Sequence, residues 1–218
     1  MKFTDSLRAD VEHIWNKIFG HPFITQLFDG TLPIRKFKYY IIQDYNYLIA
    51  IMKCFSLIAA KADPSISAVA LEIAYADATT ELENYKKLLK RLNLSFEKVI
   101  NTDPAPTNLA YMNYLLTTCA LGTPLEGLVA LLPCFWSYLE IAEKLRNKLI
   151  QNKVELYREW CATYLSSEYR KLVQNLRDLI DGMWNGSNYG RYLAIFTKSS
   201  KYEYMFWDMA YREEGWPI

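Results

Sequence analysis

Cys134 follows Pro133 inside the apolar run ALLPCFWSYLEIAEKL (130–145), and Tyr138 stands four residues on. At helical spacing a thiol and a phenol therefore share one face. A thiolate so placed can form a covalent adduct with a bound molecule. The competing reading makes Cys134 a structural thiol in a kinked core helix, since free cysteine is among the most buried residue types. Asp44 and Tyr47, three residues apart, lie among Tyr40, Ile41, Leu48 and Ile51. A carboxylate in apolar surroundings needs a partner or a ligand, because burying it alone is costly. That partner is either a bound molecule or one of the chain's 17 tyrosines. Glu203, Phe206 and Trp207 fall at i, i+3 and i+4, which stands one glutamate on an aromatic face.

The elements that must position these groups read as helices throughout. A chain of 218 residues that is 51% hydrophobic can build one domain with a large core, and 8 Gly and 8 Pro are too few for a turn-dense β protein. Phe3, Leu7, Val11, Ile14, Trp15 and Ile18 recur at helical spacing, with Thr4 or Asp5 as cap. His21-Pro22 interrupts, a short helix follows, and Asp29-Gly30 stops it. Pro33 opens a long helix that carries Asp44 and ends before Asp63-Pro64. A third helix runs from Pro64 to about Asn93, and its charged side, with Asp77, Glu81, Glu83 and four basic residues, reads as solvated.

Ser95 to Asn101 and Thr107 to Ala120 are helical, the latter bearing Tyr111. Thr123-Pro124-Leu125-Glu126 is a capping box with proline at the first helical position, and the helix it opens continues to Leu149. Helices from Asn152 to Leu165, with Tyr164, and from Ser166 or Ser167 to Asp181 follow. WNGSNYG is the clearest flexible loop, and a last helix spans Tyr192 to Arg212. No repeat, low-complexity segment or linker divides residues 1–218, so a single domain is expected. Bundled helices of this length can aim Asp44, Tyr111, Cys134, Tyr164 and Glu203 at one cavity.

Other classes fit less well. A net charge of +1 offers no general attraction to nucleic acid or to a membrane surface. Cys54, Cys119, Cys134 and Cys161 form no CxxC pair, so neither a disulfide scaffold nor a zinc site is indicated. MKFTDSLRAD carries charges where a signal peptide needs an apolar run, so a cytoplasmic, reduced protein is expected. A carboxylate-bridged di-metal bundle wants two Glu-x-x-His motifs, and neither His13 nor His21 is so placed.

QDYNYL around Asp44, ALLPCFWSY around Cys134, YREWCATYLSSEY around Tyr164 and SSKYEYMFWDMAY around Glu203 resemble the TenA family, the thiaminase II group of aminopyrimidine aminohydrolases. HPFITQLFDGTLP is similar too, and the likeness runs in order over essentially the whole chain. The resemblance implies an all-α, haem-oxygenase-like bundle, usually a homotetramer, with no cofactor and no metal. It implies a hydrolase of thiamin salvage that converts 4-amino-5-aminomethyl-2-methylpyrimidine to the hydroxymethylpyrimidine, with thiamin a poorer substrate. Carried over, the thiol nucleophile falls on Cys134, the acid/base on Glu203 and the pyrimidine-orienting aspartate on Asp44. Tyr47, Tyr111, Tyr138, Tyr164 and Phe206 fall at pocket positions. Many members carry Glu and His four residues apart where this chain has Asp77 and Glu81, a departure whose consequence the sequence leaves open.

The chemistry is consistent with those residue types. A flat 4-aminopyrimidine pairs an NH₂ donor with a ring-nitrogen acceptor, so one carboxyl can grip that edge while tyrosines cover its faces. A thiolate adding to a ring carbon breaks aromaticity and helps expel an amine from the attached methylene. Ala130, Leu131, Ser137 and Tyr138 offer Cys134 no cation, so its proton is expected to leave only with substrate bound, toward a carboxylate such as Glu203. The alternative is a non-catalytic helical module that binds a pyrimidine or a protein partner.

Overall fold

The computed structural model describes residues 2–218; Met1, part of the expected domain, lies outside the described residues. Among the described residues there are twelve α-helices and no strand. In order they are α1 (Phe3–Asp10), α2 (Glu12–Phe19), α3 (Pro22–Asp29), α4 (Ile34–Ala59), α5 (Pro64–Ala76), α6 (Leu82–Arg91), α7 (Phe96–Ile100), α8 (Pro106–Leu121), α9 (Pro124–Leu145), α10 (Glu155–Thr163), α11 (Ser167–Met183) and α12 (Tyr189–Arg212). A π segment, Asp77–Glu81, joins α5 to α6, and a 3₁₀ turn, Arg146–Ile150, follows α9.

The expected first helix is two. Val11, at φ −107° and ψ 13°, breaks the run, and neither Thr4 nor Asp5 caps it. Instead Asp181, at the far end of α11, accepts the Thr4 N–H at 2.8 Å and its hydroxyl at 3.1 Å, so a residue distant in sequence satisfies the first turn. The third expected helix keeps helical dihedrals through its middle but widens to i→i+5 hydrogen bonding at Asp77–Glu81.

The capping box forms as read. Thr123 N–H donates to Glu126 Oε2 at 2.7 Å and Glu126 N–H to Thr123 Oγ1 at 3.3 Å. From there α9 runs unbroken through Pro133. The stretch Pro124–Ile150 is the one helix, among the described residues, long and apolar enough to cross a membrane, but 78% of its apolar window is buried. It is a core helix.

Asn152 does not begin α10. Its amide donates to the Leu27 and Phe28 carbonyls at 3.0 and 3.1 Å, closing the end of α3 where Gly30 turns at φ 84°. A Cβ on Gly30 would stand 2.5 Å from Asn152 Oδ1, so the turn needs glycine for space as well as for its dihedral. The WNGSNYG segment is anchored: Trp184 stacks on Phe3 at 4.4 Å and donates its indole N–H to the Ser187 carbonyl.

Helix α4 packs between α5 and α8, and α9 packs on α8, α11 and α12. Fully buried Trp15, Phe23, Phe37, Phe55 and Trp207 fill the interior. Each large apolar side chain so buried contributes roughly 1.5–3 kcal/mol. Gly127 lets α9 close on α4, since a Cβ there would meet Ile58 Cγ1 at 2.8 Å.

Candidate active site

Residues one helical turn apart on α4 build the first wall. Tyr40, Asp44 and Tyr47 project from one stripe of that helix and line a cavity of about 340 Å³. Helix α9 supplies Cys134, Phe135 and Tyr138; α5 and the π segment supply Glu72, Asp77 and Glu81; Tyr164 and Tyr169 close the far side. The volume suits one small aromatic molecule. Cys134 is only partly buried, its exposed surface bordering this space.

The aromatic wall is held rigidly. Tyr40 and Tyr138 share a hydrogen bond at 2.9 Å between their hydroxyls, and the Tyr138 and Tyr164 rings lie 4.9 Å apart. Tyr169 meets Tyr164 edge-on and donates to the Phe135 carbonyl at 3.0 Å. These contacts fix the rings before any ligand enters.

Behind this surface lies a second layer. Glu203 of α12 is 3% exposed and does not line the cavity; its Oε1 accepts the Tyr111 hydroxyl at 2.6 Å and its Oε2 the Ser137 hydroxyl at 3.4 Å. Tyr111 and Phe206 also lie in this layer, with the Tyr47 ring 5.2 and 5.3 Å from theirs. Tyr47 stands between the layers. Its hydroxyl is buried without a hydrogen-bond partner, close to Cys134, Tyr111 and Glu203. Five of the eight residues read from sequence, Asp44, Tyr47, Cys134, Tyr138 and Tyr164, thus border one cavity, and the other three back them.

Among the described residues no Lys, Arg or His lines the cavity, and Asp44, Asp77 and Glu81 are pushed toward their protonated forms. Burial raises Glu203 to about 7, against the hydrogen bonds from Tyr111 and Ser137. Burial, then the charges of Glu203 and Glu81, raise Asp44 to about 7, and no donor reaches its carboxyl. Asp77 is likewise pushed up to about 7 by burial and by Glu81, and Glu81 itself is raised by burial. Burial and the Glu203 charge push the Cys134 thiol up. Around neutral pH the site therefore holds a neutral thiol beside carboxyls balanced between losing and keeping a proton. Among the described residues no three His, Cys, Asp or Glu side chains gather to hold a metal ion.

The solvated face expected for this helix holds for Glu83 and the four basic residues, and Glu81 is exposed while also bordering the cavity; Asp77 is the correction, half-buried in the cavity lining with Oδ2 buried and without a partner. The spacing of four between Asp77 and Glu81 was the available signal, obscured by the lysines that follow in the sequence. Ser137 and Tyr169 also went unread as site residues, although Ser137, three positions after Cys134, is a lone hydroxyl in an apolar run.

The model of the TENA/THI-4/PQQC family matches residues 8–213. An aminopyrimidine aminohydrolase of Halalkalibacterium halodurans is 34% identical over 220 residues, covering 99% of this chain and 98% of the relative. The solved structure of a TenA homologue from P. horikoshii OT3 is 49% identical, covers 97% of this chain and 99% of its own, and superposes with a TM-score of 0.95. A domain from Shewanella denitrificans with a heme oxygenase-like fold, 16% identical, covers 96% of this chain and 92% of its own at a TM-score of 0.80, a likeness of fold alone.

Proposed function

Because the chain belongs to the TENA/THI-4/PQQC family, we propose that it is an aminopyrimidine aminohydrolase of thiamin salvage. It replaces the amine of 4-amino-5-aminomethyl-2-methylpyrimidine by hydroxyl, consuming water and releasing ammonia, and accepts thiamin less well. The observation that carries this reading is one cavity of about 340 Å³ bordered by Cys134, Asp44 and an aromatic wall, with Glu203 held just behind.

In this mechanism Asp44 grips the edge formed by the exocyclic NH₂ and its neighbouring ring nitrogen, and Tyr47, Tyr138 and Tyr164 pack on the ring. Cys134 Sγ bonds to a ring carbon while its proton passes, directly or through the ring, to Glu203. Loss of aromaticity supplies the electron pair that expels the amine, which leaves protonated as ammonia. Water then adds at the methylene, and the C–S bond breaks to restore the ring and the thiol. Glu203 suits the exchange because its proton affinity lies near neutrality and Tyr111 holds its orientation. A thiol pushed up by burial fits activation that waits for substrate.

Ammonia release with the aminomethyl compound tests the assignment. Cys134→Ser should abolish it while the fold is kept; undiminished turnover would remove the thiol from the mechanism. Wild-type protein that binds the compound and releases nothing would favour a non-catalytic binding module instead. The homotetramer is proposed with the activity, and sedimentation checks it.

A further inference from the structure

The mechanism leaves two cavity acids without a task. Asp77 and Glu81 stand on the π segment, where i→i+5 bonding keeps side chains four to five positions apart on one face. Asp77 is half-buried with Oδ2 wholly enclosed and unpartnered, while Glu81 reaches solvent at the open edge of the cavity. Glu72, one turn before Ala76, is a further acid in the cavity lining. A cluster of acids without a cation is unfavourable in itself. A second feature shows that the cavity is shaped for an occupant: Tyr47, 5% exposed, belongs to the same lining and keeps a fully enclosed hydroxyl without a hydrogen-bond partner, beside Cys134.

Resting on the reading above, we propose that Asp77 and Glu81 form the subsite for the amine end of the substrate, selecting a positively charged aminomethyl group over the neutral hydroxymethyl group of the product. With Asp44 assigned to the ring edge and Cys134 to the ring carbon, the charged side chains left in the cavity lining are all acidic. A primary amine on a methylene carries a proton at neutral pH and offers three donors to two carboxyl groups. The hydroxymethyl product offers one donor and no charge, so it is held less tightly and leaves. Because Glu81 lies at the open edge, the departing ammonia has a direct way to solvent.

Calorimetric titration of the aminomethyl and hydroxymethyl pyrimidines into wild type, Asp77→Asn, Glu81→Gln and Glu81→Asp decides the matter, alongside KM for ammonia release. The neutral variants should weaken binding of the amine and raise its KM by about tenfold or more, with affinity for the hydroxymethyl compound within about twofold of wild type. Glu81→Asp should recover part of the loss. Glu81 is exposed, so its variants fold irrespective of what happens at Asp77. Equal loss for both ligands, or no loss for either, overturns the subsite and leaves the hydrolase reading intact. Wild-type protein that binds neither pyrimidine overturns both.

Discussion

Asp44 and Glu203 are carboxyls whose proton affinity the fold has moved, and the shift has a consequence for stability. In the folded chain both titrate at about 7. In the unfolded chain they lose their protons at the ordinary carboxyl value of about 4, so between the two the unfolded state is the more ionised. Rising pH then favours unfolding: their destabilising contribution is absent below about pH 4, grows through the window and is complete above about pH 7. Urea denaturation at pH 5 and pH 8 should show wild type losing on the order of 1–3 kcal/mol more than Asp44→Asn over that interval, and parallel losses would mean Asp44 titrates normally. The same property made these two residues legible. A lone acid in an aromatic helical run is visible in sequence because its burial calls for an explanation, whereas Asp77 and Glu81 sit where acids early and lysines late already account for themselves. Which acids face inward depends on the helix packed opposite, and that information is not local.

At the scale of elements, periodicity located nearly every helix and missed the features made by contact between them. The break at Val11 comes with a first turn satisfied by Asp181 from the other end of the chain, and α10 starts late because Asn152 is occupied closing α3. Close packing also decides the sign of one substitution. Alanine at Gly127 gains up to about 1 kcal/mol of helix propensity, but its methyl would press on Ile58, and overpacking costs about 1–3 kcal/mol. Gly127→Ala should therefore lower stability by about 1–2 kcal/mol in chemical denaturation, a gain instead showing that α4 yields easily. The π segment makes a second expectation. A π turn accommodates one extra residue within a continuous helix, so deleting exposed Thr80 should restore α geometry while leaving α5 and α6 in place. Circular dichroism should be unchanged, and a loss of helical signal would show that the π turn is what lets α5 continue into α6.

For the whole molecule, the site exists only because five separate segments meet: α4, α5 with its π turn, α9, the end of α10 and α11 border the cavity, and α12 backs it. Composition and period were enough to read an all-helical chain; the convergence of residues as far apart as Asp44 and Tyr164 follows from how long helices cross, which only their mutual packing fixes. Such a site couples ligand binding to global stability, since the unfolded chain has no cavity to offer. A ligand at about 100 times its dissociation constant stabilises the folded state by about 2.7 kcal/mol, which for a chain of this size raises the thermal midpoint by roughly 5–10 °C. Hydroxymethylpyrimidine should produce that rise in wild type and equally in Cys134→Ser, where the pocket survives and the nucleophile does not. In Asp44→Asn the rise should shrink, because an amide offers the amidine edge no charge and one fixed pattern of donor and acceptor. Scanning fluorimetry of the three proteins separates recognition from chemistry: a rise retained without turnover in Cys134→Ser assigns the thiol to bond making, and a rise lost in Cys134→Ser would assign it to binding.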